Sequence, residues 1–344
     1  MTVLAIGAYT VDLYMFGDHL PATGESVDAV DYATAHGGKA ANVAVASARL
    51  GAPTRFVGCL GDDTDRLTAL AALRADGVEV GDCATADGIA TGRSFVYVDA
   101  HGQQIVMTWP GAANLLPPSR AAATVAGLPG TSVLVLQGEI PVATSSAAAA
   151  AASPDVRVLL NPSPAGPFLS ETGEDLLSRA DVLVLNESEL SALALSGPAL
   201  SESALSGPAL SESALSESAL SEPALSGSAE DARQAVECLR RRTRGRTVIV
   251  TRGEQGAEIT DDHGTMLIDV PSVNAVDTTG AGDAFTGALA AALCTGASLA
   301  QGVRLACRVA AVSVTRRFCA PSYPSAAELG VAPLQGAPGQ ERTT

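Results

Sequence analysis

The chain has 344 residues, with 21 basic side chains against 37 acidic ones and a net charge of −16. That acidity argues against nucleic acid or an anionic membrane as partner, because phosphate contacts need clustered Lys and Arg. A hydrophobic share of 47% is too high for a disordered chain, and the length suits one large α/β domain or two small ones.

The N-terminus carries no basic leader and reaches Asp12 too soon for a secretory signal. No run approaches the roughly 18 apolar residues of a membrane span, and the six cysteines contain no C-x-x-C pair. A cytoplasmic protein with buried thiols and without zinc is expected. In chain order, a short apolar strand is predicted at 3–8. Residues 12–35 alternate apolar and polar side chains, and a helix at 40–50, a strand at 55–58 and a helix at 64–76 follow. Residues 93–109 alternate again, with a turn signal at 100–102. Strands are predicted at 133–136, 156–160, 182–185 and 247–251, with helices at 143–152 and 230–242. A hairpin over 257–270 turns at 261–264, which reads Asp-Asp-His-Gly.

This β-then-α rhythm implies a doubly wound, mainly parallel sheet flanked by helices. Strands that are apolar throughout are those covered on both faces. The two alternating stretches read instead as antiparallel strands outside that sheet, forming a small β lid. A single domain over 1–330 and a flexible C-terminal tail over 331–344 are expected.

Residues 194–228 differ in kind, being seven pentads of the form Ala-Leu-Ser followed by Gly or Glu and Pro or Ser. On a helix each repeat would turn its Leu by about 140°, so no apolar stripe forms. On a strand an odd period sends successive leucines to opposite faces. Pro198, Pro208 and Pro223 interrupt any helix as well. The segment reads as a low-complexity, disordered surface insertion.

The strongest chemical signal is the string Asp277-Thr278-Thr279-Gly280-Ala281-Gly282-Asp283, followed by a helix of small residues. A glycine turn at a helix start is an anion site, because the first backbone N–H groups lack intrahelical partners and glycines admit a phosphate closely. Asp283 in the first turn is stabilised by the helix dipole whatever its role. Beside a phosphate-binding turn, it also suits a base that takes the proton of an attacking hydroxyl. A second cluster, Gly37-Gly38-Lys39-Ala40-Ala41-Asn42, places a tight turn before another small-residue helix. Lys39 is the only lysine among 21 basic residues, as expected where a compact ammonium is needed. Asp12 and Glu139 follow strands, where open α/β sheets bind ligands. Asn186-Glu187-Ser188-Glu189 and Thr251-Arg252-Gly253-Glu254-Gln255-Gly256 close two further strands. Neither a Walker A loop nor G-x-G-x-x-G fits, since Ala33, Ala40 and Phe285 stand at required positions.

These strings resemble the ribokinase (pfkB) family of carbohydrate kinases, and the likeness runs from residue 3 to about residue 329, the pentads excepted. The resemblance implies an ATP-dependent sugar kinase acting on the 5-hydroxyl of D-ribose, with Asp283 as base and the Gly280, Ala281 and Gly282 backbone as anion hole. It assigns the sugar to Thr10, Val11, Asp12, Gly38, Lys39, Ala40, Ala41, Asn42, Glu139 and Asp283. ATP falls to Asn186, Thr251, Arg252, Gly253, Glu254, Gln255, Gly256, Gly282 and Asp283. Glu189 would arrange Mg2+ through water, and a monovalent cation such as K+ would sit among Asp277, Thr279, Ser313, Arg316, Phe318 and Ser322. A homodimer through the lid is implied too. Two positions depart from the family pattern. Thr10 stands where ribose-specific members carry Asn, and Phe318 replaces a Gly, although a bulky residue does not easily take left-handed backbone angles. A kinase for another sugar or a nucleoside stays open, as does a sugar-binding sensor without catalysis.

Overall fold

The computed structural model describes residues 1–195, 229–245 and 247–334. Apart from Ala194 and Leu195, the predicted insertion lies outside the described residues; those two end a helix, with Ala194 buried. The chain opens with β1 (Thr2–Ile6), β2 (Thr10–Phe16), β3 (Asp31–Gly37) and α1 (Lys39–Arg49). Then come β4 (Thr54–Val57), β5 (Cys59–Gly61), α2 (Thr64–Ala75), β6 (Val78–Glu79), β7 (Ala84–Ala86), β8 (Gly92–Val98) and β9 (Gln104–Trp109). The middle holds α3 (Pro118–Gly127), β10 (Thr131–Gln137), α4 (Val142–Ala150), β11 (Arg157–Asn161), α5 (Glu171–Arg179), β12 (Val182–Asn186) and α6 (Glu187–Leu195). Last are α7 (Ala229–Arg242), β13 (Thr247–Thr251), β14 (Ala257–Asp261), β15 (Gly264–Ile268), α8 (Ala281–Cys294) and α9 (Leu299–Ser313).

Nine strands form the main sheet in the order β15-β14-β13-β12-β11-β10-β1-β4-β6. All neighbours from β6 to β13 pair in parallel, and the β14–β15 hairpin adds an antiparallel edge. Alternate residues explain why these strands are apolar throughout. Val3 and Ala5 face a core built with α1, α2, α8 and α9, while Leu4 and Ile6 face one built with α3 to α7. The order reverses between β1 and β10, which opens a crevice at their C-terminal ends.

The predicted lid is the second sheet, ordered β3-β2-β8-β9. Its two hairpins are antiparallel, and a parallel β2–β8 pairing that sets Asp12 opposite Ser94 joins them. Of the predicted C-terminal tail, residues 331–334 are described and 335–344 lie outside the described residues. Leu334 packs on the core and donates its N–H to Leu50 O (2.7 Å), so the chain stays docked through 334 because an apolar side chain and a backbone bond hold it. No helix among the described residues is long and apolar enough to cross a membrane, and the six cysteines are free.

Small residues bring two helices unusually close. A Cβ on Gly287 of α8 would lie 2.6 Å from Ala46 Cβ and Val43 O of α1, and Ser47 Oγ donates to Gly287 O (2.7 Å). The alanine-rich faces of α1 and α8 thus serve position rather than bulk: they set the first turns of both helices side by side.

Candidate active site

Helix α8 starts on Gly280, whose φ of 75° lies in the left-handed region, and no side chain caps it. A Cβ there would meet Tyr323 Oη at 2.6 Å and Cys319 Sγ at 2.9 Å, so only glycine fits. Around Gly282 the opposite holds, since a Cβ would have nothing within 4 Å. This glycine keeps a space open rather than relieving a clash. Ala281 donates its N–H to Thr278 O (3.2 Å), while the N–H groups of Gly282 and Asp283 find no backbone acceptor among the described residues. Free donors, open space and the positive end of a helix dipole make an anion cradle.

Asp283 sits in that first turn, 5% exposed, and Asn42 Nδ2 of α1 donates to its Oδ2 (2.8 Å). The close α1–α8 packing makes this contact. Burial raises the Asp283 pKa, opposed by the Lys39 ammonium and the Asn42 hydrogen bond. Burial alone would lower that of Lys39, but the Asp283 and Glu139 carboxylates outweigh it and hold the ammonium charged. Glu139 accepts the Lys39 backbone N–H (2.7 Å) and is pushed up to about 7, chiefly by burial. Asp12, which accepts from Thr10 Oγ1 (2.8 Å), rises to about 6, again chiefly by burial.

These groups face a cavity of about 320 Å³ between the sheet rim and the lid. Thr10, Asp12, Gly38, Lys39, Asn42, Glu139, Asn186, Glu189, Thr251 and the turn from Gly280 to Asp283 all line it. Three residues assigned to the sugar do not. Val11 alternates onto the other face of β2 and packs against the core. Ala40 and Ala41 are buried, with Ala40 Cβ tight against Gly7. The lid adds residues that motif reasoning missed, namely Tyr14, Ser94, Val96, Val106 and Thr108; Asn161, Ser163 and Cys319 join from the body. Alternation alone could have found Tyr14, because Asp12 and Tyr14 share a strand face.

A second cavity, about 630 Å³, runs from the turn Gly253–Gln255 and Gly256 past Val270, Pro271, Val273, Phe285, Cys307 and Val314. It shares Thr251, Thr278, Ala281 and Gly282 with the first, so the two meet at the anion cradle. A slot with an apolar wall and a glycine turn suits a planar base and its sugar. Arg252 lines neither cavity: its guanidinium pairs with Glu187 (3.1 Å) and Glu258 (3.2 Å) and braces the turn from behind. Asn186 and Glu189 bond reciprocally at the start of α6, the Asn186 N–H to Glu189 Oε2 (2.9 Å) and the Glu189 N–H to Asn186 Oδ1 (2.8 Å).

Of the residues assigned to the monovalent cation, Asp277 and Thr279 precede α8, Ser313 ends α9, and Arg316, Phe318 and Ser322 follow it. Asp277 Oδ1 accepts from the Thr279 N–H (2.9 Å) and its Oδ2 from the Phe318 N–H (2.8 Å). Ser322 O accepts from Arg316 (3.4 Å), whose other end pairs with Glu328 (2.8 Å), and Ser313 Oγ donates to Ala310 O (2.8 Å). Phe318 corrects an expectation. It takes the left-handed angle after all, with φ of 69°, held by its N–H bond to Asp277 and by ring packing on Tyr14 at 4.9 Å.

A polar cavity under a lid, joined at a helix start to an apolar one, is an arrangement suited to a small-molecule phosphotransferase. The sequence profile of the pfkB family carbohydrate kinases matches residues 2–326, and the chain belongs to that family. It is 30% identical over 337 residues to a ribokinase of Schizosaccharomyces pombe, covering 96% of each chain. Among solved structures it is similar to a ribokinase of Thermotoga maritima (TM-score 0.77, 28% identity, 96% of this chain and 97% of that one). It is also similar to a ribokinase of Arabidopsis thaliana complexed with ribose and ATP (TM-score 0.76, 28% identity, 95% and 96%). The chain is thus a phosphotransferase that acts on a sugar hydroxyl, in a family whose use of ATP implies a divalent metal.

Proposed function

We propose that the chain is a ribokinase, transferring the γ-phosphoryl group of ATP to the 5-hydroxyl of D-ribose. The observation that carries this reading is the place of Asp283, a buried carboxylate lining the lidded cavity next to Gly282, which both cavities share. The sugar lies in the lidded cavity, where Asp12, Lys39, Asn42 and Glu139 offer donors and acceptors to its hydroxyls. ATP lies along the second cavity, its base against the apolar wall and its phosphates over Gly282.

Asp283 takes the proton of the 5-hydroxyl as that oxygen attacks the γ-phosphorus, and the bond to the β-phosphate oxygen breaks. Burial makes Asp283 a better proton acceptor, while the Lys39 ammonium and the Asn42 hydrogen bond favour its ionised form. Of the anion-hole residues, Gly282 offers a free N–H and Ala281 does not, so the Gly282 and Asp283 amides carry the developing charge together with the Gly280 turn. Phosphoryl transfer needs little else, since positioning and charge stabilisation dominate it.

Mg2+ fits this rim. Among the described residues no three His, Cys, Asp or Glu side chains converge, and a sparse protein set suits an ion that keeps waters and binds mainly through phosphates. Glu189 and Asn186 would hold its water shell, and the bound ion neutralises phosphate charge. K+ would take oxygens from Asp277, Thr279, Ser313, Arg316, Phe318 and Ser322, mostly carbonyls, a donor set suited to a weakly hydrated cation. On the outer lid face Met15, Phe95, Met107 and Trp109 are exposed, and a second copy of the chain would cover them.

A coupled assay of ADP release over D-ribose, deoxyribose, fructose and adenosine tests the reading. Ribose is expected to give the highest kcat/KM. Turnover confined to a nucleoside would keep the family and reject the substrate, and no turnover with any would leave a sensor.

A further inference from the structure

Phe318 is the one non-glycine residue with a positive φ among the described residues. A bulky side chain occupies that region at a cost, and such outliers persist where the surroundings over-determine them. Here they do so from two sides. The Phe318 ring packs edge-on against Tyr14 (4.9 Å) and near Phe16 (6.5 Å), both on lid strand β2. Its backbone N–H donates to Asp277 Oδ2 (2.8 Å), and Asp277 Oδ1 accepts from the Thr279 N–H (2.9 Å), one residue before the Gly280 turn. One residue therefore touches the lid with its side chain and, with its main chain, the Asp277 carboxylate that holds the residue before the Gly280 turn.

Two further contacts close the circuit. Tyr14 lines the sugar cavity on one side and meets Phe318 on the other. Thr279 Oγ1 reaches Gln104 Oε1 on lid strand β9 (3.4 Å), and the Arg317 guanidinium lies over the Phe16 ring at 5.3 Å. A lid that shifts when a sugar fills the cavity must push on Tyr14 and Phe16. Packed rings have few alternative arrangements, so the push passes to Phe318 rather than being absorbed.

We propose that Phe318 is a positioning residue that couples closure of the lid over the sugar to the geometry of the turn that receives the nucleotide phosphates. The inference rests on the placement of sugar and phosphates proposed above. It predicts that each substrate tightens the binding of the other, and that this mutual effect, more than either affinity alone, depends on the Phe318 ring.

Calorimetric titration of the full chain with a non-hydrolysable ATP analogue and Mg2+, with and without saturating D-ribose, reads the coupling. In the wild type, ribose is expected to tighten the analogue about fivefold or more. Phe318→Gly, which removes the ring and relieves the left-handed strain, is expected to cut that factor below about twofold while the Tm holds or rises. Phe318→Tyr, which keeps the ring, is expected to retain it. Should the glycine variant fail to fold, Phe318→Leu carries the same test, with coupling expected at less than half the wild-type factor. Wild-type coupling in Phe318→Gly or Phe318→Leu, or its loss in Phe318→Tyr, overturns the inference, as does a wild type that binds both ligands without coupling. A wild type that binds no ribose overturns the proposed function first, and this inference falls with it.

Discussion

Helix α9 opens on Ser298, whose Oγ accepts from the Gln301 N–H (3.4 Å) while Gln301 Oε1 accepts from the Ser298 N–H (2.9 Å). Helix α8, packed against it, opens on Gly280 with no side-chain cap and leaves the Gly282 and Asp283 amides unspent. A Ser could not cap α8 in the same way, because only glycine fits at Gly280. What also differs is what lies outside. The start of α9 is closed by its own residues and needs no partner. The start of α8 faces two cavities, and its unmet donors are a standing cost that the phosphate proposed to bind there would remove. On the proposed reading, one helix start serves stability and the other binding.

The sharpest way to break this contrast is at Asp283. Asp283→Asn keeps the shape and the Asn42 neighbour but removes the proposed base, so kcat should fall by about 10²–10⁴, with the Tm held or raised because a buried ionisable group is gone. Steady-state kinetics alongside thermal melts would check both; near-normal kcat would show that α8 opens for some other reason. Gly282→Ala comes next. Its Cβ meets no protein atom within 4 Å, so folding should be untouched while the methyl fills the space proposed for the phosphates. The KM for ATP should rise about tenfold or more, a loss of some 1.4 kcal/mol in nucleotide binding. An unchanged ATP KM would place the phosphates elsewhere.

Much of this could be read from the sequence, for definite physical reasons. Strands covered on both faces must be apolar throughout, so β1, β10, β12 and β13 stand out without any partner being known. The Gly280–Asp283 turn and the Gly37–Asn42 cluster were legible because backbone geometry and close approach restrict them to few residue types. The lid side of the cavity was not. Ser94 and Val96 reach it only because β8 pairs in parallel with β2 and sets Ser94 opposite Asp12, a register that no local pattern states. The Arg252 side chain lies outside both cavities for a related reason: a turn can be seen in sequence, but the direction of one long side chain depends on Glu187 and Glu258, 65 residues before it and six after. Strands as short as β5 and β7 carry too few residues to show a period.

Charge repeats the contrast between the two helix starts. The site holds Asp12 and Glu139 at raised pKa values of about 6 and about 7, because burial disfavours their ionised forms. A carboxyl whose pKa is higher in the folded chain than in the unfolded one binds its proton more tightly when folded. Its contribution is complete below the unfolded value near 4 and is lost as pH rises through 6 to 7. Glu139→Gln, neutral at every pH, should therefore be more stable than the wild type at pH 8 by about 1–3 kcal/mol, with the gap closing towards pH 4. Denaturant titrations of the ligand-free chain at the two pH values would read it. A constant gap would mean that Glu139 is not held against its charge.

The smallest expected effect lies at the closed helix start. Ser298→Ala removes the acceptor for the Gln301 N–H and should cost about 1 kcal/mol of stability. It should leave kcat and both KM values alone, because neither cavity that meets the α8 turn includes Ser298. The pair Ser298→Ala and Gly282→Ala then forms a crossed test on two adjacent helices, one alanine changing the melt and not the kinetics, the other the kinetics and not the melt. If Ser298→Ala altered the ATP KM as well, α9 would be transmitting its cap to α8 through their shared face. The two starts would then be one unit, with binding resting on stability rather than set apart from it.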